Sequence, residues 1–192
     1  KALDGLHPVR ALGLSSEEME LLKPLCLLTA KPALYVANDE EHGFENNPHL
    51  DLARAHAAGF MDGGVLPVMK HIPGHGRARA DSHLDLPVVE ASMAELAAVD
   101  FPPFAAFADC PMAMTAHVVY AAIDKTAPAT LSAKVIKTVI REQIGFRGLL
   151  MTDDLSMKAL SGSFTDKTRQ ALKAGCDIVL HCNGDMAEME EV

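Results

Sequence analysis

No run of eighteen apolar residues occurs in this chain, so the sequence offers no membrane-spanning helix. Residues 1 to 25 carry no apolar segment of the kind that directs export, and a cytoplasmic location is expected. Basic residues are in deficit: 17 Lys and Arg stand against 26 Asp and Glu, a net charge of −9 that argues against a nucleic-acid surface. The four cysteines, Cys26, Cys110, Cys176 and Cys182, lack C-x-x-C spacing and read as reduced, buried thiols. No G-x-x-x-x-G-K-[ST] occurs, which removes the backbone nest and lysine that hold nucleotide phosphates. Low-complexity tracts and internal repeats are also missing.

What is there is a chain of 192 residues, 49% apolar, enough for one domain with a sizeable core. From Gly63 onward the pattern alternates. A strand is expected at 65–69, then a long loop and a helix at 88–99. A strand at 112–119 leads to a helix at 130–144, with Val135, Ile136, Val139, Ile140 and Ile144 on one face and Gly145 as its stop. A strand at 149–152 leads to a helix at 166–174, stopped by Gly175, and a strand at 177–182 closes the series. Apolar strands alternating with amphipathic helices imply parallel pairing. Upstream, Ser15 opens a capping box with Glu18 and a short helix through Leu22. A strand is expected at 33–37, and Asn38 to Glu41 read as a polar turn. A helix at 50–58 is expected to stop at Gly59.

The chemistry concentrates in residues 70–87, KHIPGHGRARADSHLDLP. A strand that ends in Lys70-His71 and enters a long Gly/Pro/His loop suggests a site. Asp81 and His83 sit two residues apart, close enough for the carboxylate to hold one ring nitrogen and free the other for proton transfer. His71, His75, Asp81 and His83 would equally suit a zinc ion, or the loop could be purely structural. Asp153 directly follows an apolar strand. It reads either as a nucleophile or as a cap for the next helix.

The pattern K-H-[FI]-P-G-H-G followed by D-S-H and a proline resembles the signature of glycoside hydrolase family 3, in its bacterial β-N-acetylhexosaminidase branch. Ala113-Met114-Thr115-Ala116-His117 and Gly145-Phe146-Arg147-Gly148-Leu149-Leu150-Met151-Thr152-Asp153-Asp154-Leu155-Ser156-Met157 agree with it. The resemblance runs from about residue 58 to the end. It implies an α/β fold made of the last four βα units of a (β/α)8 TIM barrel, a partial barrel, since a complete one takes about 250 residues. It also implies retaining hydrolysis of terminal β-linked N-acetylglucosamine from peptidoglycan fragments, without cofactor or metal. Asp153 is then the nucleophile and Asp154 its support. His83 is the acid/base, oriented by Asp81, and Lys70 and His71 donate to sugar hydroxyls. His75 and His117 fall to supporting roles. The family's D-x-E-G-G-R and G-[ND]-R-[AS]-[FY] segments do not occur here, so turnover by this chain alone is expected to be poor.

Residues 1–57 resemble instead a fragment of the YchF-type, Obg-like P-loop ATPases, through L-L-T-A-K-P-x-L-Y-V-A-N-x-x-E with Asn38 and Glu41. The chain therefore reads as two domains, 1–57 and 58–192. Its alternatives to the glycosidase are a non-catalytic chimeric fragment or assembly module, and a nucleotide-binding module. An open half-barrel leaves two sheet edges uncovered and is expected to self-associate.

Overall fold

The computed structural model describes residues 14–22, 48–79, 82 and 84–192. The chain divides into two units, Lys1–Asn38 and Asp39–Val192. In the first, helix α1 (Ser16–Leu22) starts where expected. The backbone N–H of Ser15 donates to Glu18 at 2.8 Å and that of Glu18 to the Ser15 hydroxyl at 3.2 Å, the two halves of a capping box. The strand expected at 33–37, and Asn38 and Glu41 with it, lie outside the described residues.

The second unit runs α2 (Pro48–Asp62), β1 (Val68–Ile72), β2 (Val88–Val89), α3 (Met93–Glu95), α4 (Pro102–Ala105), β3 (Met112–Thr115), β4 (Val119–Tyr120), β5 (Leu149–Asp154), α5 (Phe164–Ala174), β6 (Ile178–Leu180) and α6 (Met186–Glu191). Between β4 and β5 a helix at Val135–Gln143 closes i→i+5 hydrogen bonds. Strands β1, β3, β5 and β6 form one parallel sheet in that order, and β2 pairs in parallel with β4. Parallel neighbours in chain order, joined by helical crossovers, are the arrangement of a partial α/β barrel.

Helix α2 does not stop at Gly59. A mid-helix glycine costs only about 1 kcal/mol, and the stronger stop lies at the Gly63-Gly64 pair. Gly64 takes φ +77°. Its N–H bonds Met61 O at 2.9 Å and Val65 N–H bonds Phe60 O at 2.8 Å, a Schellman ending. That ending moves β1. It occupies the Val65 amide, and Pro67 has no N–H for a ladder, so β1 begins at Val68 rather than 65 and runs through Lys70 and His71 to Ile72. The helix expected at 88–99 is corrected in the same way. Val88 and Val89 pair with Val119 and Tyr120, and the helix waits for a capping box formed by Ser92 and Glu95.

The five apolar residues assigned to one helical face, Val135, Ile136, Val139, Ile140 and Ile144, are all buried against Ala113, Leu150 and Phe146 in one core. At the N-terminal ends of the strands the Arg141 guanidinium ties this helix to the sheet. It donates to Gly148 O at 2.8 Å and Phe146 O at 3.3 Å, and pairs with Asp177 at 2.9 Å. The same Asp177 oxygen accepts the Leu150 amide. Polar groups at this end are spent on holding the fold, which leaves the opposite end for chemistry.

Candidate active site

Two of the four main strands are irregular at their C-terminal halves, and both irregularities carry candidate residues. On β1, Lys70 pairs with Met114 and Ile72 with Thr115, so His71 is an extra residue. On β5, Met151 pairs with Ile178 and Asp154 with Leu180, three steps against two. Such bulges re-aim side chains. The burial along β5 shows the effect: alternation holds through Thr152, and then Asp153 is buried as well. The Thr152 hydroxyl accepts the Leu180 amide at 2.9 Å, filling the gap in the ladder.

The bulges bring His71 and Asp153 together. His71 Nε2 lies 3.6 Å from Asp153 Oδ2. Asp153 is 9% exposed, and its other oxygen accepts the Asp154 amide at 2.9 Å. Burial holds the His71 ring below the usual histidine range. Asp153 opposes that shift, and Lys70, His75 and His117 add to it. His71 is therefore neutral near pH 7, and its contact with Asp153 is a dipole against a carboxylate rather than an ion pair. Lys70, on the same strand, is exposed. Asp81 and His83 lie outside the described residues, whereas Ser82 between them is buried.

The loop after β1 is tightly held where it is described. The Tyr120 hydroxyl donates to Gly74 O. Burial, then Asp100, pushes Tyr120 far above its ordinary value, so it remains a donor. Gly74 sits at φ +137°, and a Cβ there would meet the Asp100 Cβ at 3.4 Å. Arg77 Nε donates to Asp100 at 2.7 Å. The His75 ring meets that of His71 edge-on, with centroids 5.8 Å apart, and its Nε2 lies 3.1 Å from Ser82 Oγ.

Asp154 does not share the role of its neighbour. Its Oδ1 accepts the amides of Ser156 at 3.0 Å and Cys182 at 3.1 Å, and its Oδ2 accepts the Ser156 hydroxyl at 2.5 Å. Burial raises this carboxyl, but those hydrogen bonds, with His181, more than offset it and hold it below the usual range. Asp154 thus caps the turn after β5 and ties it to the end of β6, which leaves Asp153 as the carboxylate turned to the site. Asn183, just after β6, donates to Glu188. The sequence alone gave no sign of Thr130, which holds His117, or of Lys167, whose buried ammonium donates to Leu155 O at 3.0 Å. Neither lies in a recognisable pattern. Among the described residues no group of three or more His, Cys, Asp or Glu side chains is placed to hold a metal ion.

Known proteins resemble this arrangement. The sequence profile of the glycosyl hydrolase family 3 N terminal domain matches residues 28–192. A beta-hexosaminidase of Alkalilimnicola ehrlichii is 42% identical over 149 residues, covering 74% of this chain and 42% of that protein. One from Neisseria meningitidis is 42% identical over 146 residues, with 73% and 40% covered. Among solved structures, NagZ from Neisseria gonorrhoeae in complex with N-trifluoroacetyl-D-glucosamine superposes with TM-score 0.65 at 40% identity, covering 74% of this chain and 41% of that one. A beta-N-acetylglucosaminidase from Paenibacillus superposes with TM-score 0.66 at 36% identity, with 69% and 26% covered. The chain thus spans about two fifths of the length of the curated relatives it matches. The family match takes in residues 28–57 and lends the resemblance to Obg-like ATPases no support. By its profile, its parallel strand order and its relatives, this chain belongs to glycosyl hydrolase family 3.

Proposed function

We propose that this chain carries the bond-breaking groups of a retaining β-N-acetylhexosaminidase that releases terminal β-linked N-acetylglucosamine. The placement of Asp153 supports this reading most directly: a buried carboxylate at the C-terminal end of β5, beside a neutral His71 from another strand. A carboxylate Oδ of Asp153 attacks the anomeric carbon while the leaving oxygen takes a proton, giving a glycosyl-enzyme. Water then cleaves that ester bond, with the proton returning to the acid/base. His83, oriented by Asp81, is assigned that role, since an unperturbed imidazole titrates near pH 6.5. Lys70 and His71 donate to sugar hydroxyls. Peptidoglycan fragments as the substrate and the cytoplasm as its location belong to the same reading.

The chain's coverage of about two fifths of its relatives bears on how fast it works. Sugar contacts outside this part position the ring, and an ångström of misplacement costs about a hundredfold. Water reaching an open site weakens the stabilisation of developing charge further, so a deficit on the order of 10⁴-fold against an intact family member is expected. The test is release of the phenol from an aryl N-acetyl-β-glucosaminide, with Asp153→Ala as the blank. No turnover above that blank refutes the assignment, and ATP binding in the same preparation would favour the nucleotide-binding alternative.

Self-association is proposed from the sheet itself. Among the described residues β1 and β6 each pair on one side only, and Val68 and Ile178 on them are exposed. Open parallel edges with apolar side chains invite a second copy. Light scattering at micromolar concentration should give a dimer or larger, and a clean monomer rejects it.

A further inference from the structure

Beneath the site lies a buried polar chain that the proposed chemistry does not use. His117 follows β3, is 0% exposed, and has both ring nitrogens engaged. Nε2 lies 3.0 Å from the carbonyl of Asp154, and Nδ1 lies 2.7 Å from Thr130 Oγ1. Thr130 Oγ1 in turn meets Thr115 Oγ1 at 2.9 Å and Ala116 O at 3.1 Å. All three side chains are fully buried.

The proton order in this chain follows from what each atom is able to do. A carbonyl only accepts, so Nε2 must carry a hydrogen to bond Asp154 O. Burial holds the ring below the usual histidine range, against smaller opposing effects of the Asp154 carbonyl and the Asp153 carboxylate, so only one nitrogen is protonated near pH 7. Nδ1 is then an acceptor, and the single Thr130 proton goes to it at 2.7 Å rather than to Ala116 O at 3.1 Å. The Thr115 hydroxyl donates to Thr130 Oγ1. The ring is thus held as the Nε2–H form between the Asp154 carbonyl on one side and the Thr130 hydroxyl on the other.

The carbonyl that receives this hydrogen bond belongs to the residue after Asp153, beyond the bulge that turns Asp153 inward. The segment is gripped from several elements. Leu155 N–H bonds Leu180 O at 2.8 Å, and Lys167 bonds Leu155 O at 3.0 Å. Of these grips only His117 comes from the β3 side, and it holds the carbonyl of the same peptide whose N–H bonds Leu180 O. We infer that His117 is a positioning residue for Asp153, its ring held between the Asp154 carbonyl and the Thr130–Thr115 hydroxyl pair, and that it holds the β5 bulge in the orientation that presents the carboxylate. This inference rests on the reading of Asp153 as the nucleophile.

Four chains are compared on an aryl N-acetyl-β-glucosaminide: unaltered, His117→Leu, His117→Gln, and Asp153→Ala as the blank. A misaimed nucleophile affects the chemical step, so His117→Leu should lose about tenfold to a hundredfold in kcat with KM within about twofold. The Gln amide can still donate to Asp154 O, so His117→Gln should regain most of that loss. An unchanged kcat in His117→Leu, a KM that rises in step, or a Gln variant as impaired as the Leu variant overturns the inference. Absence of turnover by the unaltered chain refutes the proposed function instead. In that case, or if His117→Leu fails to fold, imidazole ¹⁵N resonances at pH 7 decide the inference. A single Nε2–H tautomer that becomes mixed in Thr130→Val supports it. An Nδ1–H tautomer or an imidazolium in the unaltered chain overturns it.

Discussion

Replacing Asp154 tests whether its carboxylate is a structural anchor distinct from Asp153. Its Oδ1 accepts two backbone amides, Ser156 at 3.0 Å and Cys182 at 3.1 Å, and its Oδ2 accepts the Ser156 hydroxyl at 2.5 Å. Hydrogen bonds to a charged group contribute about 1.5–3 kcal/mol each when sheltered. Asp154 is half-buried and Cys182 is exposed, so water replaces part of that in the variant. Asp154→Ala should therefore cost about 2–3 kcal/mol in total, well under the sum of three sheltered bonds. In a chain of this length that lowers Tm by about 5–10 °C. Asp154→Asn keeps an oxygen for both amides and loses only the bond from the Ser156 hydroxyl, so about 1 kcal/mol is expected. Thermal and urea unfolding of the three chains, followed by circular dichroism, gives both differences. The reasoning fails if Ala and Asn cost the same, or if Ala costs less than about 0.5 kcal/mol, a surface-substitution value.

Acid should weaken the fold through histidine before it does so through carboxylates. His71 and His117 both have folded values pushed below 6.5, chiefly by burial, so above that pH they are neutral in both states, and below it the unfolded chain takes up protons first. Stability present at pH 7 should fall from about pH 6.5 downward, with a slope of up to about 1.4 kcal/mol per pH unit for each ring. Urea midpoints that stay flat or rise between pH 7 and 5.5 would contradict this. At the other end of β5, a Cβ on Gly148 would lie 2.5 Å from Pro111 O and 2.6 Å from Cys110 O, both backbone. Gly148→Ala should destabilise by about 1–2 kcal/mol after the gain from a stiffer unfolded chain is subtracted. A neutral or raised Tm would show that the backbone there yields.

The core was legible because it rests on long amphipathic patterns. The face of Val135, Ile136, Val139, Ile140 and Ile144 repeats at helical spacing, and the glycines that stop the flanking helices, Gly145 at φ +82° and Gly175 at φ +115°, take backbone angles that other residues resist. Boundaries were less legible, because a neighbouring element competed for the same groups. The Val65 amide belongs to the end of α2, so β1 starts later than its apolar run. The Ser92–Glu95 box was readable and decides where the third helix starts, yet the apolar Val88-Val89 pair before it gave no sign of β4, a strand far along the chain. His71 and Asp153 could be named from their sequence blocks. Thr130 could not, because nothing in the sequence says which threonine a crossover brings beneath a histidine.

The two bulges explain why His71 and Asp153 could be read as candidate residues while their approach to one another could not. Strand periodicity assigns faces by alternation, so a perfect β5 that buries Leu150 and Thr152 would turn Asp153 to the opposite side from them. The extra residue between Met151 and Asp154 removes that constraint and lets Thr152 and Asp153 both be buried. On β1 the same device at His71 brings its ring to 3.6 Å from the Asp153 carboxylate, although a whole strand, β3, lies between β1 and β5. A bulge costs ladder hydrogen bonds, and here other groups replace them: the Thr152 hydroxyl for Leu180, and the Ile72 carbonyl for Ala116 at 3.0 Å. In β1 and β5 the register slips fall at the polar side chains His71 and Asp153, and there each strand keeps its partners by other means. The departures from strand pattern fall on candidate residues from different strands that the folded sheet brings together.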